Sequence, residues 1–227
     1  MEFIISEDLH EYMPGVEIDT FHQQSHVSLL KNNLVMKWGD LLGNQPLLED
    51  LCFGLYTSCQ NACDRHDFEQ SKLIGLYAEG LDVVEPVITD YAGIVLTRLF
   101  EGFPAETEDE LGLGLESLNR LHLKGHYHGD AHPDNLLFGD GLRWIDFGTR
   151  VRDDVSFIQA AARDLRDYLL ACTEYASPSF VRDCFEQYKG GEVKDDLRKQ
   201  LDTFREDFID NWIERGYGNP YILREII

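Results

Sequence analysis

The chain has 227 residues, 43% hydrophobic and 27% charged, enough apolar content for a sizeable core in one domain or two closely packed lobes. Asp and Glu number 42 against 20 Lys and Arg, and the resulting charge of −22 argues against sequence-independent nucleic-acid binding and against a polybasic membrane patch, since both need clustered cations. Five cysteines and the lack of a basic, apolar leader in Met1 to Asp8 predict reduced thiols in a cytoplasmic protein, and no run approaches the roughly 20 apolar residues of a membrane span.

In chain order, Leu34-Val-Met-Lys-Trp38, entered by the turn signal Asn32-Asn33 and ended by Gly39, reads as a short strand. A helix is predicted from Gln45 to Asp64, because Cys52, Tyr56, Cys59, Cys63 and His66 recur at three- and four-residue steps as one buried stripe. The cysteines and His66 could also be drawn as a zinc set, but no C-x-x-C knuckle supports it. Val83 to Ile88 and Gly93 to Leu99 read as two further strands around the polar turn Thr89-Asp90-Tyr91. The first hundred residues are therefore expected to form a small sheet carrying one helix.

Beyond Glu106, Leu111, Leu115, Leu118 and Leu121 mark a helix. Leu136 to Phe138 and Leu142 to Ile145, joined by Gly139-Asp-Gly141, predict a hairpin. The remainder reads as helices over Ser156 to Tyr175, Ser179 to Tyr188 and Val193 to Arg215, the last with an apolar stripe of Leu197, Leu201, Phe204, Phe208 and Trp212. The class is α+β, with an N-terminal lobe over 1–100, a compact helical C-terminal lobe over 101–227, and a cleft at the linker Phe100 to Thr107.

The stretch that carries chemistry is His128-Gly-Asp-Ala-His-Pro-Asp-Asn135, followed across the hairpin by Ile145-Asp-Phe-Gly148. Carboxylate and amide oxygens are hard ligands, suited to Mg²⁺ shared with phosphate and water. These two motifs in this order resemble the catalytic and metal loops of the protein-kinase-like superfamily. Among its branches they are closest to the aminoglycoside phosphotransferase, choline kinase, RIO-type and lipopolysaccharide-kinase groups. The resemblance runs from about Asn32 to Leu170 and implies a two-lobed protein-kinase-like fold using ATP and Mg²⁺.

Carried over by residue, the resemblance implies that Asp130 orients the attacking hydroxyl and takes its proton, while Asn135 and Asp146 hold metal. It puts His132 near the γ-phosphate, with fixing the loop backbone as the other reading, and His128 behind Phe147. Lys37 would meet the α/β-phosphates, with Glu49 as its expected ion-pair partner and Asp50 or Glu69 as substitutes. Arg98, Leu99 and Phe100 would form the hinge at the adenine edge, and Asp164 resembles the aspartate that braces the catalytic loop, its alternative being an exposed helix position.

Two departures bear on function. No glycine-rich loop precedes Lys37, and only the seven residues Thr149 to Val155 separate Gly148 from the next helix, with no Ala-Pro-Glu. The expected activity is transfer of the γ-phosphoryl group to a hydroxyl of a small molecule or sugar. A compact serine/threonine protein kinase is the alternative, and a non-catalytic kinase-fold module that binds a basic protein partner through its acidic surface is a third reading.

Overall fold

The computed structural model describes residues 3–4, 16–18, 26–38, 56–57, 62–90, 92–202 and 218–227. In chain order its first elements are the strands β1 (Phe3–Ile4), β2 (Val16–Ile18), β3 (His26–Leu30), β4 (Leu34–Trp38) and β5 (Tyr56–Thr57), followed by helix α1 (Ala62–Ala78). Then come β6 (Ile88–Thr89), β7 (Ile94–Arg98), β8 (Phe103–Pro104), α2 (Glu108–Leu123), β9 (Leu136–Gly139), β10 (Gly141–Trp144) and β11 (Arg150–Val151). Helices α3 (Phe157–Tyr175), α4 (Pro178–Gln187), α5 (Gly191–Asp202) and α6 (Pro220–Ile226) complete the described chain.

The main N-terminal sheet is antiparallel, in the order β2-β3-β4-β7. Asn32 and Asn33 turn β3 into β4 with φ of 60° and 57°, a left-handed conformation that asparagine tolerates better than most residues. Strand alternation then decides where Lys37 goes. Leu34 and Met36 are buried with Leu30, Val87, Ile94 and Leu96 in a small core, which puts Lys37 on the opposite face. Helix α1 is tied to this sheet by the buried Gln70, whose amide donates to the Val87 carbonyl (2.8 Å) and accepts from the Leu96 N–H (3.0 Å).

The helix predicted over Gln45 to Asp64 is corrected by the structure: the helix is Ala62–Ala78, and Tyr56 lies in strand β5, paired with Val151 of β11. The stripe from Cys52 to His66 is therefore not one helix face. Cys63 and His66 lie on α1, while Cys52 and Cys59 fall outside the described residues. The strand expected over Val83 to Ile88 is reduced to isolated bridges at Val83 and Pro86 and to β6.

In the C-terminal half, Thr107 and Glu110 form a capping box that starts α2, whose Leu111, Leu115, Leu118 and Leu121 are all buried. They join Trp144, Leu165, Tyr168, Leu169, Val181, Phe185 and Leu197 in the larger core. Ser156 and Gln159 form a second capping box at α3, the central helix of this half. Helix α5 is described to Asp202, so the predicted extension through Phe204, Phe208 and Trp212 lies outside the described residues. Among the described residues no helix is long and apolar enough to cross a membrane.

Candidate phosphotransfer site

Lys37 leaves the sheet on the face turned toward the C-terminal half, where its Nζ donates to Oε2 of Glu69 (2.9 Å) and to Oδ1 of Asp146 (2.6 Å). Burial by itself would lower the lysine's pKa, but the carboxylates of Asp146 and Glu69 outweigh it and raise the value, so Lys37 stays cationic. Asp146 moves the other way. Burial would raise its pKa, yet Lys37 and then Arg65 hold it far below the usual carboxylate range. The Asp146 backbone sits at φ 60°, a conformation costing on the order of 1 kcal/mol for a non-glycine residue. That bend leaves Phe147 fully buried while the neighbouring carboxylate remains at the cleft.

The partner expected for Lys37, Glu49, lies outside the described residues, and the carboxylate that pairs with the lysine belongs to Glu69. One helical turn earlier on α1, Arg65 reaches the same aspartate, with Nη2 3.4 Å from Oδ1 of Asp146. Its stem runs along Gly148: a Cβ there would stand 2.6 Å from Arg65 Nε and 3.1 Å from Glu69 Oε2, so any larger residue at this place would push these two side chains aside. Sequence reasoning passed over Arg65. The i,i+4 spacing of Arg65 and Glu69 was the available signal.

The loop between α2 and β9 carries Asp130. The Asn135 Nδ2 donates to the Asp130 carbonyl (2.9 Å) and to its Oδ2 (3.1 Å), which holds the aspartate and leaves the amide oxygen of Asn135 as its acceptor. His132 caps the short turn Pro133–Asn135, its Nδ1 accepting from the Asp134 N–H (3.2 Å). That is the loop-fixing contact of its two readings. Burial opposes protonation of His132, but Asp134, then Asp130 and Asp167, outweigh it and raise its pKa.

Beneath this loop lies Asp164 of α3, fully buried. Its carboxylate accepts the backbone N–H groups of His128 and Gly129, the latter at 2.8 Å, and lies 3.2 Å from His122 Nε2. Burial would raise its pKa, but the His122 hydrogen bond and charge lead the effects that lower it. Arg163 adds a bond from Nη1 to the Gly129 carbonyl (2.6 Å). Gly129 itself has φ 95°, and a Cβ there would stand 2.7 Å from the Thr149 carbonyl oxygen. An arginine at this position, as in His-Arg-Asp loops, has no room.

His128 stacks on Phe147 with ring centroids 4.2 Å apart and on Trp144 at 4.9 Å, and burial pushes its pKa down to about 4, so it is neutral at pH 7. Lys72, one turn beyond Glu69 on α1, spans to the same loop: Nζ donates to the His128 carbonyl (3.1 Å) and lies 4.0 Å from the Tyr127 ring centre.

At the end of β7 the N–H of Arg98 is engaged by the Glu85 carbonyl (2.9 Å) and that of Leu99 by the Asn33 carbonyl (2.8 Å). Two of the three expected hinge amides are thus engaged within the N-terminal half. The chain from Phe100 passes close to the β9-β10 hairpin, where a Cβ on Gly102 would stand 2.9 Å from the Phe138 carbonyl.

No protein-family model and no curated protein sequence matches the chain. Solved structures do match. The Rio2 kinase from Chaetomium thermophilum superposes with a TM-score of 0.53 at 15% identity, covering 96% of this chain and 74% of that one. Its complex described as ADP/Mg²⁺-phosphoaspartate gives 0.53 at 16% identity, over 97% and 73%. The ADP-bound aminoglycoside phosphotransferase APH(2'')-Ib gives 0.47 at 12% identity, over 95% and 97%. The chain has the protein-kinase-like fold, in an α+β arrangement.

Proposed function

We propose that this chain is an ATP- and Mg²⁺-dependent phosphotransferase acting on a hydroxyl group of a small molecule or sugar. The observation that carries the reading is the convergence of Lys37, Glu69 and Asp146 within 2.9 Å contacts, on a fold whose Rio2 neighbour is described with ADP and Mg²⁺. The donor set fits the metal, since the Asp146 carboxylate and the Asn135 amide oxygen are hard ligands that leave positions for phosphate and water. Bound Mg²⁺-ATP would supply the phosphoryl group and the neutralising charge.

The chain's own residues do the rest. Lys37 offers a permanent cation to the phosphates, with Glu69 setting its direction. Asp130, held by Asn135, orients the acceptor hydroxyl and receives its proton as the new O–P bond forms and the bond to the ADP oxygen breaks. Arg98 and Leu99 have their amides engaged, so an adenine edge would be met by their carbonyls and by the chain from Phe100 onward.

A small acceptor is favoured over a peptide because Thr149 to Val155 is a short connection, part of it paired with β5. The test is phosphotransfer from ATP to a panel of sugars, cationic metabolites and basic peptides, with Asp130→Ala and Asp146→Ala alongside. Each substitution is expected to lower the rate about 10²- to 10⁴-fold. Undiminished activity in both overturns the proposal. Binding of a basic peptide with neither transfer nor stabilisation by Mg²⁺-ATP would instead support the non-catalytic module; an enzyme gains about 2.7 kcal/mol at a hundredfold excess of nucleotide over Kd.

A further inference from the structure

We infer that Lys72 is a positioning residue for Asp130: from α1, its ammonium fixes the peptide group between His128 and Gly129, immediately ahead of the aspartate. The inference rests on the phosphotransfer reading above and adds to it a residue outside both motifs.

Asp130 is reached through two peptide groups. In the first, between His128 and Gly129, the carbonyl accepts from Lys72 Nζ (3.1 Å) and the Gly129 N–H donates to Oδ1 of Asp164 (2.8 Å). In the second, between Gly129 and Asp130, the carbonyl accepts from Arg163 Nη1 (2.6 Å) and the Asp130 N–H donates to Nδ1 of His128 (3.2 Å). Three of these four bonds come from the C-terminal half, and Lys72 brings the fourth from α1. The residue between the two groups is a glycine at φ 95°, and glycine adopts φ of either sign at little cost. The local backbone therefore sets a low barrier to turning the first peptide group, which would re-aim Asp130. Bonds at both ends of that group hold it, and the one at the carbonyl end belongs to Lys72.

The ammonium is committed to this acceptor. Among the described residues Lys72 makes no ion pair, and Nζ stands 4.0 Å from the Tyr127 ring centre, 5.3 Å from that of Phe68 and 5.5 Å from that of Phe147. The titratable groups that face it are Glu69 on its own helix, Asp164 of α3, and Tyr127 and His128 of the loop. The metal loop presents Phe147, with Asp146 turned to Lys37. Glu69 is bonded to Lys37 and Asp164 to the loop amides. Burial therefore outweighs Asp164 and Glu69 and pulls the pKa of Lys72 from its ordinary 10.5 down to about 8.

Below that value the donor to the His128 carbonyl is a cation, and above it a neutral amine, a weaker donor that has lost its attraction to the rings. In the unfolded chain the lysine keeps its proton to about 10.5, so between the two values the unfolded chain binds more protons and this group's contribution to stability rises with pH. A rate that falls above pH 8 thus accompanies a fold that Lys72 does not weaken, which separates aim from stability.

The experiment follows phosphate release from Mg²⁺-ATP, with water as the acceptor, from about pH 6.5 to about 9.5 in the full-length wild type, Lys72→Met and Lys72→Arg. Calorimetric Kd values for Mg²⁺-ATP and hydrogen exchange of the loop amides are measured alongside. Lys72→Met is expected to lower kcat about ten- to hundredfold at neutral pH, to change Kd less than about threefold, and to speed exchange at Gly129 and Asp130. The wild-type rate should fall as pH rises through 8, whereas Lys72→Arg, whose cation does not titrate, should keep most of the neutral-pH rate and lose that alkaline limb. Wild-type kcat in the methionine variant, an alkaline limb kept by the arginine variant, or equal losses of kcat and affinity would each overturn the inference. Should either variant fail to fold by circular dichroism, the other decides by its pH profile: a limb retained overturns the inference and a flat profile supports it. A wild type without turnover overturns the phosphotransfer reading itself. The hold on the loop is then read from exchange alone, where faster exchange at Gly129 and Asp130 in Lys72→Met supports it and unchanged exchange overturns it.

Discussion

Below the cleft, Asp164 gathers the backbone amides of His128 and Gly129 where its side chain is fully shielded, whereas above it Lys37 and Arg65 converge on Asp146, whose side chain is 30% exposed. The first arrangement is a buried anion with local backbone donors. The second is a set of paired charges drawn together from a strand, a helix and a loop far apart in sequence. Under the proposed function, a fixed floor suits the residue that aims at a hydroxyl, since misplacement of about 1 Å is costly in rate. Under that proposal, an ionic roof suits residues that accommodate an incoming triphosphate.

The sharpest way to break this contrast is to remove the floor's anion. Asp164→Ala leaves two buried amides and His122 without their acceptor and is expected to lower unfolding free energy by about 3 kcal/mol or more, read by urea denaturation. A loss below about 1 kcal/mol would mean that the floor is not held by Asp164.

Acid should attack the floor next. His128 is neutral in the fold, with its pKa near 4, against an ordinary value of 6.5 in the unfolded chain. Between those values the unfolded chain binds more protons. Stability from this group is therefore complete above pH 6.5 and lost as pH falls through 4, to a total of about 3 kcal/mol. His66, also lowered to about 4 by burial, acts in the same sense. Urea midpoints measured from pH 7 to pH 4 should show this fall, and His128→Leu should flatten it by up to one proton; an unchanged slope refutes the assignment.

The smallest stability effect belongs to the roof. Asp146→Asn keeps a residue that tolerates positive φ and leaves Lys37 paired with Glu69, so a change below about 1.5 kcal/mol is expected. The same variant should lose Mg²⁺-dependent stabilisation by ATP. A large loss of stability would show that the roof is as structural as the floor.

Legibility in the sequence followed the same division. Leu34 to Trp38, the α2 leucines, the Gly139-Asp-Gly141 hairpin and the helix beginning at Ser156 were readable because each is a local pattern with a local cause: alternation, period or turn. That Asp130 and Asn135 share one loop and are hydrogen-bonded was within reach of the sequence because both sit in one short motif; their roles rest on the resemblance. Helix α1 was not. Its buried positions include His66, Glu69 and Gln70, polar residues that serve the sheet and the cleft, so its inward face lacks the apolar period that marks a helix. With the helix placed too early, Glu49 took the position that Glu69 fills, and Arg65 was passed over.

Lys72 sets a limit on how far α1 can move. Its ammonium joins the helix to the His128 carbonyl and the Tyr127 ring, while Glu69 joins the same helix to Lys37. Swinging the helix away must break both attachments together with the two Gln70 bonds to the sheet, which keeps the swung-out conformer a minor population. A kinase fold fastened in this way is assembled at rest.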